Sequence, residues 1–188
     1  MPSDVSTDRE CKNKIAVFPG TFDPFTKGHT EIIRKVMTLD VFDEVHILVA
    51  SNPGKLAPMF STDVRMDIIF ASLEGDMPHR EKLFVRTLAP NRTTMQYCAE
   101  VGAEALIRGL RDVSDLSYEQ NLEHINRRLN GYVQTLYIMS DPSIAYVSSS
   151  LVREMLRYNV VFYGNGSELF ETKEAFQIAI TNAQKTKE

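Results

Sequence analysis

Residues 18–33 read FPGTFDPFTKGHTEII and follow a short apolar run. Thr26, Lys27, Gly28 and His29 fall where a helix is expected to start. Such a start exposes unpaired backbone N–H groups and favours an anion. A histidine there can hydrogen-bond a phosphate oxygen as charge builds on it, and the hydroxyls of Thr21 and Thr26 are further donors. Gly20 would let the backbone approach a ligand closely, and Pro19 and Pro24 stiffen the turn. The chemistry indicated is phosphate binding. The same residues also suit a plain capped turn, with Thr26 or Thr30 as the cap and His29 in solvent, because four-residue patterns recur by chance. Neither GxGxxG nor GxxxxGK[ST] occurs in the chain.

A second cluster is IRGLRDVSDLSYE, residues 107–119. Arg108 and Arg111 flank Gly109, and arginine forks match phosphate oxygens in pairs. Asp115 and Glu119 are four residues apart on the following helix. They can brace the arginines or accept hydrogen bonds from a ribose or a base, and Arg111–Asp115 also suits a plain surface pair. A third cluster is SIAYVSSSLVRE, residues 143–154. Its serines can cap a helix or turn the helix start toward a phosphate. Lys55 lies in the loop SNPGKLAP. His46, His79 and His124 show no metal-ligand spacing.

The elements that would hold these residues alternate strictly. Strands are expected at residues 14–18, 44–50, 82–88, 105–107 and 133–139. Helices are expected after His29, over 61–75, around 93–102, over 114–130 and over 148–156. In the second helix Met66, Ile69, Phe70 and Leu73 form the apolar face, and in the fourth Tyr118, Leu122, Ile125 and Leu129 do. A final helical pattern runs over 168–182. The alternation predicts an α/β fold: a single Rossmann-like domain, a five-stranded parallel sheet with helices on both faces. Its strands should be near-continuously apolar. Ligands of such sheets bind beyond the carboxyl ends of the strands, and there Thr21–His29, Lys55, Asn91–Thr94, Arg108–Arg111 and Ser143–Ser150 would converge. Residues 1–13 read as a flexible tail, 14–158 as the domain, and 159–188 as a C-terminal segment with a helix packed on it.

The chain has 188 residues, 43% hydrophobic, with a formal net charge of −4. That suits one buried core. No basic stripe marks a nucleic-acid binder. Two cysteines, Cys11 and Cys98, are too few for a disulfide framework. No run reaches the ~20 apolar residues of a membrane span, and the polar start is not a secretory signal. A soluble cytoplasmic protein without nucleic-acid or membrane partners is expected.

Taken together, KIAVFPGTFDPFTKGH, the Lys55 loop, ALIRGLRDVSDLSYE and VSSSLVRE resemble, in order and spacing, the bacterial phosphopantetheine adenylyltransferases of the [HT]xGH nucleotidyltransferase superfamily. The resemblance covers residues 14–157. It implies transfer of an adenylyl group from ATP to 4′-phosphopantetheine, giving dephospho-coenzyme A and pyrophosphate, by direct in-line attack. Mg²⁺ would arrive on the ATP phosphates, with no metal held by the protein itself. By the same resemblance His29 is the catalytic residue at the α-phosphate. Thr21, Phe22, His29, Gly109, Leu110, Arg111, Glu119, Ile144, Ala145, Tyr146, Val147, Ser148, Ser149 and Ser150 would bind ATP. Thr21, Lys55, Thr94 and Arg108 would bind the acceptor. A homohexamer is implied, with coenzyme A as product-like or feedback ligand.

The chain departs from that family in three places. It reads Lys55-Leu56-Ala57-Pro58-Met59-Phe60 where the family has Lys-Lys-Pro-x-Phe. Thr93 and Thr94 stand where the family has apolar residues along the pantetheine arm. The segments before Lys14 and after Asn159 also differ. Two other readings follow from the same residues: transfer to another phosphate such as nicotinamide mononucleotide or glycerol phosphate, or a non-catalytic sensor of nucleotide or coenzyme A.

Overall fold

Five apolar, β-branched runs pair side by side in a computed structural model that describes residues 13–50, 57–158 and 166–185. The expected N-terminal tail (save Asn13), Lys55 and residues 159–165 lie outside the described residues, as does the side chain of Tyr118. The strands are β1 (Ile15–Gly20), β2 (Glu44–Val49), β3 (Leu83–Thr87), β4 (Ala105–Leu110) and β5 (Gln134–Met139). They form one sheet in the order β3-β2-β1-β4-β5, every pairing parallel. The helices are α1 (Lys27–Leu39), α2 (Thr62–Ser72), α3 (Thr94–Val101), α4 (Val113–Leu129), α5 (Ser149–Tyr158) and α6 (Lys173–Lys185).

Local chemistry sets the helix ends. Ser61 Oγ accepts from the N–H of Val64 at 3.3 Å and starts α2. Thr93 and Gln96 cap each other reciprocally at α3. Gly102 ends α3 in the left-handed region, φ 68°. Asp112 takes the N–H groups of Ser114 and Asp115 and opens α4 one residue before the expected start.

Alternation along the strands divides the interior in two. Ala16, Phe18, Ile47 and Ile107 face a large cluster with Ile33, Ile69, Val152 and Ala179 from α1, α2, α5 and α6. Val17, Leu48 and Leu106 face a smaller one with Met95, Cys98 and Val133. Burial pushes the Cys98 thiol up to about 12, so it behaves as a small apolar group. Helix α6 lies along α2 on Ala175, Ala179 and Ala183, whose small side chains allow close approach.

Several expectations need correction. Strand β4 does not stop at Ile107: Arg108, Gly109 and Leu110 continue its ladder opposite Tyr137, Ile138 and Met139. Strand β5 is not continuously apolar, because the strand order leaves it at an edge where burial alternates. Phe70 is exposed on α2, and Arg65 is buried in its place at 2% exposure. On α4, Ile125 and Leu129 face solvent.

Candidate active site

The strand order reverses between β1 and β4, so the chain leaves the centre of the sheet in both directions there. Such a switch point opens a crevice at the carboxyl edge. Here β1 and β4 pair only as Ala16↔Ala105 and Val17↔Leu106. Beyond that, Phe18–Gly20 and Ile107–Leu110 run on without pairing to each other. Arg108 reaches across the gap, with Nη1 donating to the carbonyl of Pro19 at 3.4 Å.

The turn after β1 is braced from below. Phe22 adopts φ 48°, strained for a bulky residue. Its ring is buried against Gly20, where an added Cβ would lie 2.6 Å from Phe22 Cε1. Gly20 is thus a glycine because of Phe22, and the ring of Phe22 is engaged in the core rather than open to a ligand. Asp23 is buried, and its two oxygens accept from the N–H groups of Met59 and Phe60, both at 2.9 Å. Arg65 donates to the carbonyls of Thr21 at 2.7 Å and Ala50 at 3.4 Å, tying together the ends of β1 and β2. Burial lowers its pKa, and the charge of Asp23 opposes that shift.

His29 stands in the first turn of α1. The N–H of Thr26 donates to His29 Nδ1 at 3.0 Å. Because that nitrogen accepts, the ring proton is on Nε2. Three phenylalanines surround the ring: Phe25 stacked at 5.1 Å, Phe22 edge-on at 5.2 Å and Phe18 at 6.3 Å. Their desolvation, and then the positive charge of Arg111, lower the His29 pKa to about 4. The result is a neutral hydrogen-bond donor at a helix N-terminus, within the field of Arg111.

Two ion pairs fix the β4 side. Arg108 donates through Nε to Glu119 Oε2 at 2.6 Å, and through Nη2 to Oε1. Arg111 donates through Nε and Nη2 to Asp115, both at 3.0 Å, and its backbone N–H donates to Asp115 as well. That hydrogen bond raises the pKa of Arg111 and lowers that of Asp115. Gly109 faces the opposite side, where an added Cβ would lie 3.1 Å from Ile32 of α1. Arg108, Glu119 and Thr94 share a cavity of about 180 Å³ between α3 and α4, also lined by Pro19, Glu123, Asn126 and Thr135.

Residues 141–148 form a turn that leads into α5 and leans on α1. The carbonyl of Val147 would lie 3.4 Å from a Cβ at Gly28. Each serine hydroxyl has a structural partner. Ser148 Oγ accepts from the N–H of Leu151 at 3.2 Å, Ser149 Oγ donates to the carbonyl of Pro24 at 2.8 Å, and Ser150 Oγ accepts from Arg153 Nη2 at 3.0 Å. Arg153 also donates to the carbonyl of Asp23. The first turn of α5 is thus capped in part by its own serine, with the N–H of Leu151 on Ser148 Oγ. Tyr146 is exposed, while Val147 is buried.

The structure thus brings His29, Thr21, Arg108, Gly109, Arg111 and the start of α5 to one edge. Thr94 and Glu119 meet in the adjoining cavity. Ile144 packs against the core. Sequence reasoning missed Asp23, Arg65 and Arg153 as braces of the turn, and Asn126 and Thr135 as cavity lining. Arg65 has a visible signal: a lone arginine beside Met66, ahead of the apolar pair Ile68-Ile69.

Residues 17–155 match the family described as cytidylyltransferase-like. Among solved structures, a nicotinic acid mononucleotide adenylyltransferase from Plasmodium falciparum, complexed with NaAD, superposes with a TM-score of 0.64 at 15% identity, covering 90% of this chain and 95% of that one. A putative nicotinate-nucleotide adenylyltransferase from Vibrio parahaemolyticus gives 0.65 at 17% identity, over 94% and 97% of the two chains. A bifunctional NMN adenylyltransferase/ADP ribose pyrophosphatase from Francisella tularensis, complexed with AMP and a manganese ion, gives 0.62 at 14% identity, over 93% of this chain and 52% of that one.

Proposed function

The chain belongs to the cytidylyltransferase-like family, and from that premise we propose that it transfers an adenylyl group from ATP to 4′-phosphopantetheine, releasing pyrophosphate. The observation that carries this reading is the convergence on one split in the sheet. A neutral histidine, a free crevice edge and two helix N-termini adjoin a cavity lined in part by Arg108.

In this reading an acceptor phosphate oxygen attacks the α-phosphorus of ATP, and the bond to the pyrophosphate oxygen breaks in line. No residue forms a covalent bond. His29 Nε2–H donates to the α-phosphate as its charge redistributes, and the first-turn N–H groups of α1 and α5 add fixed donors. Arg111 contributes charge, and Gly109 and Leu110 line the nucleotide side. Arg108 receives the acceptor phosphate, with Lys55 and Thr21 beside it. Among the described residues no group of three or more His, Cys, Asp or Glu is placed to hold a metal. A divalent ion such as Mg²⁺ would come on the triphosphate, and no step is assigned to it.

The choice of acceptor is supported by the cavity. Its lining sets the polar groups of Thr94, Asn126, Thr135 and Glu123 beside the apolar Leu106 and Leu122. That suits a thin arm carrying amide groups. A second acceptor, nicotinate mononucleotide, is favoured by the neighbours named above. A pyrophosphate-release assay over both acceptors decides between them. Turnover with phosphopantetheine alone is expected, turnover with the mononucleotide alone overturns the acceptor, and ATP binding without any turnover points to a sensor. Exposed Val113, Ile125, Leu129 and Tyr132 are in keeping with a homo-oligomer such as a hexamer. Coenzyme A as a feedback ligand and a cytoplasmic location complete the reading. Among the described residues no helix is long and apolar enough to cross a membrane.

A further inference from the structure

We propose that Glu119 is a built-in competitor for the anion that Arg108 binds, and that seating an anion there releases helix α4 from the sheet. The inference deepens the proposed function and rests on it only for the identity of the anion.

The first observation is the fork of Arg108. Two of its faces are already taken by the two oxygens of Glu119, through Nε and Nη2. This is the bidentate geometry that a phosphate would use. A phosphate cannot occupy the same donors while Glu119 holds them. Binding there is an exchange of one anion for another.

The second is the charge of the cavity. Its lining holds one cation, Arg108, and two carboxylates, Glu119 and Glu123. Glu123 is shared with Arg127 and with the hydroxyl of Tyr137. Among the described residues Glu119 forms no ion pair with a second cation, and it is buried at 8% exposure. Once displaced from Arg108, it must move toward water, because a buried carboxylate without a partner is costly.

The third is how α4 is held. Among its described side chains only Glu119 is buried. Val113, Ile125 and Leu129 are exposed, and Leu116 and Leu122 are half-buried. Among the described side chains, the hydrogen bonds that join α4 to the strand side are Arg108–Glu119, Arg111–Asp115 and Tyr137–Glu123, beside Leu122, which lines the cavity with Leu106. Freeing Glu119 removes the deepest of them. A helix fastened this way opens at lower cost than one with an apolar face in the core.

The test uses inorganic phosphate as the probe and the full chain. Phosphate binding is titrated calorimetrically for the wild type, Glu119→Gln and Arg108→Gln, and amide hydrogen exchange is followed over residues 113–129. Glu119→Gln is expected to bind phosphate about tenfold or more tighter than the wild type, the scale of one charge-assisted hydrogen bond. Arg108→Gln should lose binding. Exchange over 113–129 should rise when phosphate saturates the wild type, and should already be raised in Glu119→Gln without phosphate. Glu119→Asp, with the charge kept and the reach shortened, should fall between. Equal phosphate affinity in the wild type and both Glu119 variants overturns the proposal, as does exchange in the wild type that phosphate leaves unchanged. Failure of the adenylyl-transfer reading would show separately, as absent pyrophosphate release, because these titrations contain neither ATP nor acceptor.

Discussion

The N–H of Thr26 points at Nδ1 of His29, 3.0 Å away, and so decides where the imidazole carries its proton. The backbone of the helix start fixes the tautomer, and Nε2–H is left to donate outward. The phenylalanines around the ring keep it neutral, so it acts as a dipole donor rather than as a cation.

Replacing His29 by Ala should therefore lower kcat by about two to three orders of magnitude, the worth of a preorganised donor to transition-state charge. The KM for ATP should change little, since the donor acts most strongly as charge shifts. Pyrophosphate release under saturating substrates measures this. Turnover within threefold of the wild type would remove His29 from the chemistry.

The same residue predicts a pH dependence. Its folded pKa, about 4, lies below its ordinary 6.5. The folded chain thus resists a proton that the unfolded chain accepts. The stability that neutral His29 contributes is complete above about pH 6.5 and is lost as pH falls toward 4. Thermal melts of the wild type should drop more steeply across that window than those of His29→Gln. Parallel curves would show that the ring is not kept neutral by its surroundings.

Arg108 and Glu119 should behave as a unit. Either Arg108→Gln or Glu119→Gln alone leaves one charge in a largely buried place. Each is expected to cost about 2 kcal/mol, below the fully buried figure because Arg108 is a quarter exposed. The double variant should recover most of that loss in urea denaturation. It should not recover the KM for the acceptor, which loses its cation. Additive stability losses would show that the pair is not coupled.

Asp23 secures the loop before α2 to the turn after β1. Asp23→Ala strands the N–H groups of Met59 and Phe60. A loss of about 1–3 kcal/mol per orphaned group is the expected scale. The denaturation midpoint should shift accordingly, whereas Asp23→Asn, which keeps one acceptor oxygen, should lose less.

Within the larger cluster, Ala179 of α6 is fully buried against α2. Ala179→Leu should destabilise the chain by about 1–3 kcal/mol through overpacking, with kcat unaltered at a temperature where the variant stays folded. A melting temperature unchanged from the wild type would show that α6 does not dock as described.

The sheet was legible because strand length and element alternation are local properties. Its order was not, since no local signal says which strands are neighbours, and the edge position of β5 follows only from that order. At the site, His29, Arg108 and Arg111 were visible as residue types beside a helix start or a glycine. Their partners were not. The Thr26–His29 bond and the Arg108–Glu119 fork depend on side-chain directions that spacing leaves open. Arg65 was hidden for a different reason. Its apolar neighbours made a helix face that fitted Met66 and Phe70 as well, and only the carbonyls of Thr21 and Ala50 at the strand ends explain an arginine inside. The partners of the serine hydroxyls at 148–150 were hidden in the same way, since each lies on a backbone or side-chain group that spacing does not identify.

The two unequal clusters on either side of the sheet divide the labour of the molecule. Four helices with a deep apolar interior stand on the side that carries His29 and its turn, so the histidine rests on the larger of the two clusters. The thinner side, roofed by α3 and α4, holds the cavity that the proposed function gives to the acceptor. In a chain organised this way the cavity between α3 and α4 and the aromatic seat of His29 rest on different helices, so residues at one can change apart from those at the other.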